Sequence, residues 1–486
     1  MDFFRLKTTL FLTAALCLNP PSVNSEVTGS DLPDFGDSSG SLISPTEEVE
    51  LGEAFMRSVR SQATLVSDPD LNRYIRQLGG RLVANSDAPS YPFTFFIVQD
   101  PSINAFAGPG GYIGIHTGLI LAARNESELA GVMAHEIAHV TQRHLLRAYE
   151  AANQLSLPTA AATIAAILLG AATRSDAGIA AASAIQAGSI QYQLNFTRAN
   201  EKEADRIGIQ TLARAGIDPY GMPSFFERLY QSTRLYGAAN IPEFLSTHPV
   251  TTDRIAESLQ RAEQQSRGEA PDSLEFQLQR ARLDVLLAPD PVAALREYRS
   301  LGSKATAGPA EHYGLALAQG RSGASEKARA ELRRLMEADP DRILYRTTLA
   351  QVLLESGRHK EALQLYQDTL ALYPGDLVVG QYYADALLRV GKAEQARDLA
   401  REMLRDEEAR TPQVYQLWAR AASKSGPPWE TNQASAELYY LNGDMRLAVD
   451  QLQQALRHDG LSRYDQQRIQ ARLEQFKRIL AEQAKK

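Results

Sequence analysis

Ala294, Ala328, Ala362 and Ala396 stand 34 residues apart, and Gly323, Gly357 and Gly391 precede the last three of them by five. Pro340 and Pro374 keep the same step. A unit of this length is one pair of helices: glycine lets the chain turn between them, alanine marks where the axes approach, and proline falls near the unit's end. A single hairpin cannot bury its apolar face alone, so the units must stack into an α-solenoid whose concave surface suits another protein. Tyr345, Leu349, Leu353, Leu365 and Tyr366 in one unit, and Tyr383, Leu387, Leu399 and Leu404 in the next, supply the apolar positions. After Asp406 the register breaks. The step from Gly443 to Ala448 repeats the offset out of phase, which predicts one more hairpin and a closing helix to about residue 481, with an insertion around Gly426-Pro427-Pro428. Residues 270–486 are therefore expected to form the repeat array.

Residues 46–265 have a different pattern. His135, Glu136, Ile137, Ala138 and His139 set two imidazoles four residues apart, on one face of a helix, with a carboxylate next to the first. Asn125 and Glu128 resemble a capping pair, so the helix should begin near residue 126, and Leu129, Val132, Met133, Ile137 and Val140 recur at helical spacing. In a second predicted helix Glu201, Asp205 and Gly208 share a face, Ala204, Ile207 and Leu212 make an apolar stripe, and Gly216 and Pro219 mark the end. Small residues at 204 and 208 allow the two helices to approach closely. Glu201 can then reach a cation held by His135 and His139, with Asp205 one turn along to support an imidazole. Two imidazoles, one carboxylate and an open fourth position suit a single zinc ion per chain, with Glu136 as general base.

The combination of H-E-x-x-H, E-x-x-A-D from Glu201 to Asp205, and His248-Pro249 with Arg254 six positions after the histidine resembles the M48 metallopeptidases. The repeats that follow resemble tetratricopeptide repeats. The resemblance implies a mainly α fold: a zincin-like peptidase domain with a small β-sheet, followed by the solenoid. It implies zinc on His135, His139 and Glu201, general base and acid work by Glu136, and a supporting or proton-donating role for Asp205. For His248 it allows two roles, a fourth ligand that closes the site at rest or a donor to the oxyanion once displaced. Arg254 is either an active-site contact or a surface ion-pair partner. Exported relatives with this layout imply unfolded or misfolded outer-membrane proteins as substrates and the outer-membrane β-barrel assembly machinery as the partner of the repeats. The competing class is a chaperone or binding scaffold whose protease is held self-inhibited.

The remaining chain supplies context. Gly110 to Thr117 reads as an alternating strand entered through a turn at residues 108 to 110; at a sheet edge it would pair with an extended peptide, and otherwise it lies inside a hairpin. His144 is read as structural and His116 as a strand residue. Arg5 and Lys7 precede an apolar run from Leu10 to Leu18, and Val23-Asn24-Ser25 offers small residues for cleavage. Residues 1–25 thus read as a signal peptide, which with the resemblance implies the periplasm and the periphery of the outer membrane, and residues 26–45 as a mobile leader. Cys17, the one cysteine, leaves with the signal, so no disulfide is expected in the mature chain. The net charge is −7; the signal's Asp2, Arg5 and Lys7 sum to +1, which leaves −8 and gives no basic surplus for nucleic acid. Residues 151–173 carry no charge, yet the run from Ala160 to Ala172 falls short of the ~20 apolar residues that cross a bilayer. With a second run, Ala177 to Thr197, it is expected to form helices beside the cleft, as a lid in one reading and a peripheral membrane contact in the other.

Overall fold

The computed structural model describes residues 44–145, 157–169, 198–236, 242–266 and 273–484. The signal peptide, nearly all of the leader and the run from Ala177 to Thr197 lie outside the described residues.

Helices α1 (Pro45–Gln62) and α2 (Pro69–Ala84) open the peptidase part. Each starts at a side chain that satisfies an otherwise free N–H, Ser44 accepting from Glu47 and Asp68 from Leu71, with proline in the first turn. A three-stranded sheet follows, with β1 at Thr94–Val98, β2 at Ala105–Ala107 and β3 at Tyr112–His116. The spatial order is β1-β3-β2, with β3 parallel to β1 and antiparallel to β2. Of the two placements the sequence leaves open for Gly110 to Thr117, a sheet edge or the inside of a hairpin, the structure takes the second, with β3 in the middle. The β-forming run that contains β1 pairs with the side of β3 that would have been free, Phe95 lying opposite Ile113, and the short β2 takes the edge, Phe106 opposite Gly114. Gly110 and Gly111, at φ 71° and 77°, supply the left-handed turn into β3.

After α3 (Thr117–Ala122), helix α4 (Glu126–Thr141) begins where the capping pair predicts, the Asn125 side chain accepting from Glu128 N–H at 2.9 Å. The Glu128 carboxylate accepts from Arg124 N–H and pairs with Arg228, which ties the start of α4 to a later helix. Helix α5 (Leu157–Leu168) buries Ala160, Ala161, Ile164 and Ala165 in one cluster with Leu51, Phe55 and Val59 of α1. The described part of the uncharged run thus spends its apolar face on the protein. No described helix is long and apolar enough to cross a membrane. Helices α6 (Arg198–Arg214), α7 (Gly221–Tyr236), α8 (Glu243–Thr247) and α9 (Thr252–Glu263) complete this part. Ala204 is buried, and a methyl group on Gly208 would stand 3.2 Å from the backbone of Ala134 and His135, so α6 lies directly on α4.

The repeats form hairpins: α10–α11 (Leu274–Leu287, Pro291–Gly302), α12–α13 (Pro309–Arg321, Ser325–Ala338), α14–α15 (Ile343–Glu355, His359–Leu372) and α16–α17 (Leu377–Arg389, Ala393–Met403). Ala328, Ala362 and Ala396 are buried in the second helix of their pairs, and Gly323, Gly357 and Gly391 turn with φ of 78°, 78° and 81°. The register breaks at a 3-10 turn, Glu407–Ala409, ahead of α18 (Pro412–Ser425). Gly426-Pro427-Pro428 is accordingly no insertion. It is the turn into α19 (Pro428–Asn442), with proline preset for the first helical position. Helices α20 (Met445–Leu456) and α21 (Arg463–Ala484) close the array.

The array is docked on the peptidase part. Helix α10 gives Phe276 and Leu283 to the peptidase core and Leu278, Ala281 and Val285 to the repeat core, so both of its faces are buried. Arg282 on the same helix reaches Asp68 at 2.7 Å, and Tyr382 of α16 donates to Asp70 at 3.0 Å. At the far end Arg57 and Arg60 of α1 donate to Tyr440 Oη and the Leu441 carbonyl, at 3.1 and 2.9 Å.

Candidate metal centre

Helix α4 presents His135 and His139 one turn apart, with Nε2 atoms 3.0 Å from each other. Because α6 lies on α4, Glu201 reaches them both, at 3.5 Å from His135 Nε2 and 3.4 Å from His139 Nε2. His248, just past α8, closes the group: its Nδ1 is 2.9 Å from Glu201 Oε1 and 3.3 Å from His135 Nε2. The ring stacks on Phe244, centroid to centroid 4.8 Å. The four ligand atoms of His135, His139, Glu201 and His248 lie within 4.8 Å of one another, and all four residues are buried. Three imidazoles and one carboxylate, converging in a small volume, form a donor set that suits zinc.

Two of the donors have a clear support. His135 Nδ1 lies 2.9 Å from Asp205 Oδ1, one helical turn after Glu201. Arg254, near the start of α9, donates to both Asp205 oxygens at 2.8 Å and reaches Glu201 Oε2 at 2.6 Å. Arg254 is thus no surface residue but a buried clamp on two carboxylates, its guanidinium 5.2 Å from the centre of the Phe226 ring. All seven residues singled out from the sequence meet in one place.

The electrostatics follow from this packing. Burial alone would lower His135, but Asp205 and Glu201 push it up to about 9. Burial alone would raise Glu201, but His248, His135 and His139 hold it well below the usual carboxylate range. Burial dominates at His139, which is held well below an ordinary histidine and stays neutral, as a ligand requires. Burial also dominates at Glu136, raised despite the pull of His248 and His135. Glu136 is fully buried; the Ala107 backbone pulls weakly on its carboxylate, and neither oxygen has a well-formed hydrogen bond. A poorly satisfied buried carboxylate beside four converging donors is what a bound cation and its polar ligand would satisfy.

Two further residues join the site that the sequence reading set aside or did not name. His144 Nδ1 lies 2.9 Å from His139 Nδ1, and His144 Nε2 lies 3.2 Å from Glu203 Oε2. His116, read as a strand residue, ends β3, 2.8 Å from Ser102 Oγ, and has no place among the donors.

The family model described as Peptidase family M48 matches residues 69–262, and one described as Tetratricopeptide repeat matches residues 353–421. A Vibrio cholerae relative is 39% identical over 480 residues, 98% of either chain. The Beta-barrel assembly-enhancing protease of Escherichia coli is 33% identical over 492 residues, again 98% of either chain. The Danio rerio protein named Metalloendopeptidase OMA1, mitochondrial is 30% identical over 208 residues, 42% of this chain and 43% of that one. That likeness spans less than half of this chain, whereas the bacterial likeness runs through both parts. The chain therefore belongs to peptidase family M48, as a zinc metalloendopeptidase with C-terminal tetratricopeptide repeats.

Proposed function

We propose that this metalloendopeptidase is exported and works in the quality control of outer-membrane β-barrel proteins, cutting misfolded or stalled chains while its repeats hold it to the assembly machinery. The observation that carries the catalytic part is Glu136, buried, raised in pKa and without a well-formed hydrogen bond beside the converging donors. Zinc bound there supplies Lewis acidity, lowering the pKa of a coordinated water to about 7 and polarising a substrate carbonyl. His135, His139 and Glu201 hold it. Glu136 takes the proton from the attacking water and returns it to the departing amine, so one carboxylate acts as base and then as acid. Asp205 orients the His135 ring, and Arg254 fixes Asp205. The edge strand β2 packs beside α4, so an extended peptide pairing with it is recognised through its backbone, with little demand on sequence. Three supports stand behind the cellular role: the full-length likeness to proteins named for enhancing β-barrel assembly, the signal-like residues 1–25, and the stacked repeats. The functional division into residues 46–265 and 270–486 belongs to the same reading.

His248 favours a resting form. Its Nδ1 sits among the donors and its Nε2 is 3.5 Å from Glu136, so it takes the position that water or substrate needs. We infer that activity appears when His248 withdraws, and that scaffold or chaperone work by the repeats is what the closed form retains. The test is zinc-dependent cleavage of an unfolded outer-membrane barrel protein. Wild type should cut, Glu136→Gln should not, and His248→Ala should cut several-fold faster. Equal cleavage by wild type and Glu136→Gln sinks the protease mechanism. Slower cleavage by His248→Ala assigns His248 to the oxyanion instead.

A further inference from the structure

Helix α4 ends at Thr141, and two residues later Arg143 has φ 55°, the one non-glycine residue with positive φ among those described. Had the helix continued, residue 144 would stand five residues beyond His139, about 140° around the axis and about 7.5 Å further along it. The left-handed residue turns the chain back instead, so that the buried His144 ring meets the His139 ring edge-on, centroids 5.0 Å apart. Strain of this kind in a residue with a long side chain is kept where the surroundings enforce it, and Arg143 is anchored by Glu48 at 3.3 Å.

The nitrogens then fix the direction of every proton. His139 Nε2 faces His135 Nε2 and Glu201, so it is the atom that meets the metal. A neutral imidazole that gives its Nε2 lone pair to a cation carries its proton on Nδ1 and needs an acceptor there. The atom that faces it, at 2.9 Å, is His144 Nδ1. To accept, His144 carries its own proton on Nε2, which points to Glu203 Oε2 at 3.2 Å. Glu203 is two residues after Glu201, so α6 supplies both a metal-facing carboxylate and the end of this chain.

We propose that His144, backed by Glu203, is the positioning residue of the second ligand imidazole, as Asp205 backed by Arg254 is of the first. The two ligand histidines are thus supported differently, one by a carboxylate directly and the other through an intervening imidazole. This rests on His139 being a zinc ligand. Binding of zinc by the wild type tests that premise, and the ratio between variants tests the role of His144.

The experiment is zinc affinity by competition with a fluorescent chelator, at one pH, with thermal unfolding of each metal-free variant as the check on folding. His144→Ala should weaken zinc binding about 10- to 100-fold, in the range that loss of such a support costs. His144→Asn, whose amide oxygen can stand where Nδ1 accepts, should recover most of the loss. Glu203→Gln should weaken binding by a smaller factor. His144→Phe, which fills the same space without an acceptor, should bind as weakly as His144→Ala. Wild-type zinc affinity in a folded His144→Phe overturns the proposal, because the ring then only packs. Should the substituted proteins fail to fold, nitrogen-15 spectra of histidine-labelled wild type loaded with zinc decide the matter. They should find the His144 proton on Nε2, and a proton on Nδ1 overturns the inference.

Discussion

Glu136 is a carboxylate that burial pushes above its ordinary range, and a base works only when ionised. Cleavage should therefore fall as pH drops through a value above 4.5, the ordinary glutamate value, so the acid limb of kcat/KM against pH should lie higher than an exposed glutamate would give. Glu136→Gln should keep the zinc and lose cleavage by about 100-fold or more, measured on the same unfolded substrate. Arg254→Ala makes a different prediction. Burial opposes ionisation of Asp205, and Arg254 with His135 still holds it below the usual carboxylate range, a stabilisation complete above about pH 4 and lost as pH falls further. Without Arg254, two buried carboxylates lose their shared cation, which should cost about 3–5 kcal/mol in urea unfolding at neutral pH. At this scale the sequence was most legible where chemistry demands a fixed spacing, as in His135, Glu136 and His139. Periodicity puts Glu201 on one face with Asp205 and Gly208, within reach of α4, but its reading as a ligand comes from the E-x-x-A-D resemblance. The support from His144 was hidden, because it depends on one left-handed residue after the helix that no residue type announces.

The contact between α4 and α6 is the element that assembles the site. Gly208 is where it can be broken with one methyl group: Gly208→Ala puts carbon 3.2 Å from the Ala134 and His135 backbone and 2.7 Å from the flexible Met222 tip. The substitution should cost about 1–3 kcal/mol by overpacking and weaken zinc binding, because Glu201 moves with α6. Normal zinc affinity in a folded Gly208→Ala protein would contradict that coupling. Helix limits, caps and repeat turns were readable from local sequence, as Asn125, Gly323, Gly357 and Gly391 illustrate. The position of β3 within the sheet was not. A strand's own residues report its two faces but not which of its two edges finds a partner, and β1 precedes β3 by a stretch that local patterning does not span. The register shift after α17 is visible as a broken step, but the 3-10 turn at Glu407–Ala409 holds no glycine or proline to mark it, whereas Pro427 and Pro428 mark only the turn into α19.

Across the whole molecule, the repeat array is fixed to the peptidase part by a buried network. Arg282 is paired with Asp68, donates to Tyr313 and Tyr382, and lies 3.8 Å from Asp70. Burial and the nearby Asp68 raise Asp70 to about 6, despite Arg282 and Arg73. Raised above its unfolded value of 3.8, Asp70 takes up a proton on folding between about pH 4 and 6. Its contribution to stability therefore falls as pH rises through that window, and Asp70→Asn should remove this slope at little cost. Asp68→Asn should instead destabilise by about 3–5 kcal/mol, because Arg282 then stays buried without its main counter-charge. Guanidinium unfolding of both variants at pH 5 and pH 7 separates these outcomes. The short polar joining segment around Gln264 to Pro271 predicts that the repeats pack on the peptidase part, but the contacts that do so were not legible, since Arg282 and Asp68 are 214 residues apart. The central claim is one zinc per chain gripped by His135, His139, Glu201 and, at rest, His248. X-ray absorption at the zinc edge of the loaded wild type and of His248→Ala tests it most directly. The prediction is a four-coordinate zinc with three imidazole nitrogens and one carboxylate oxygen in the wild type, one imidazole fewer in the variant; no stoichiometric zinc, or the same neighbours in both proteins, would contradict it.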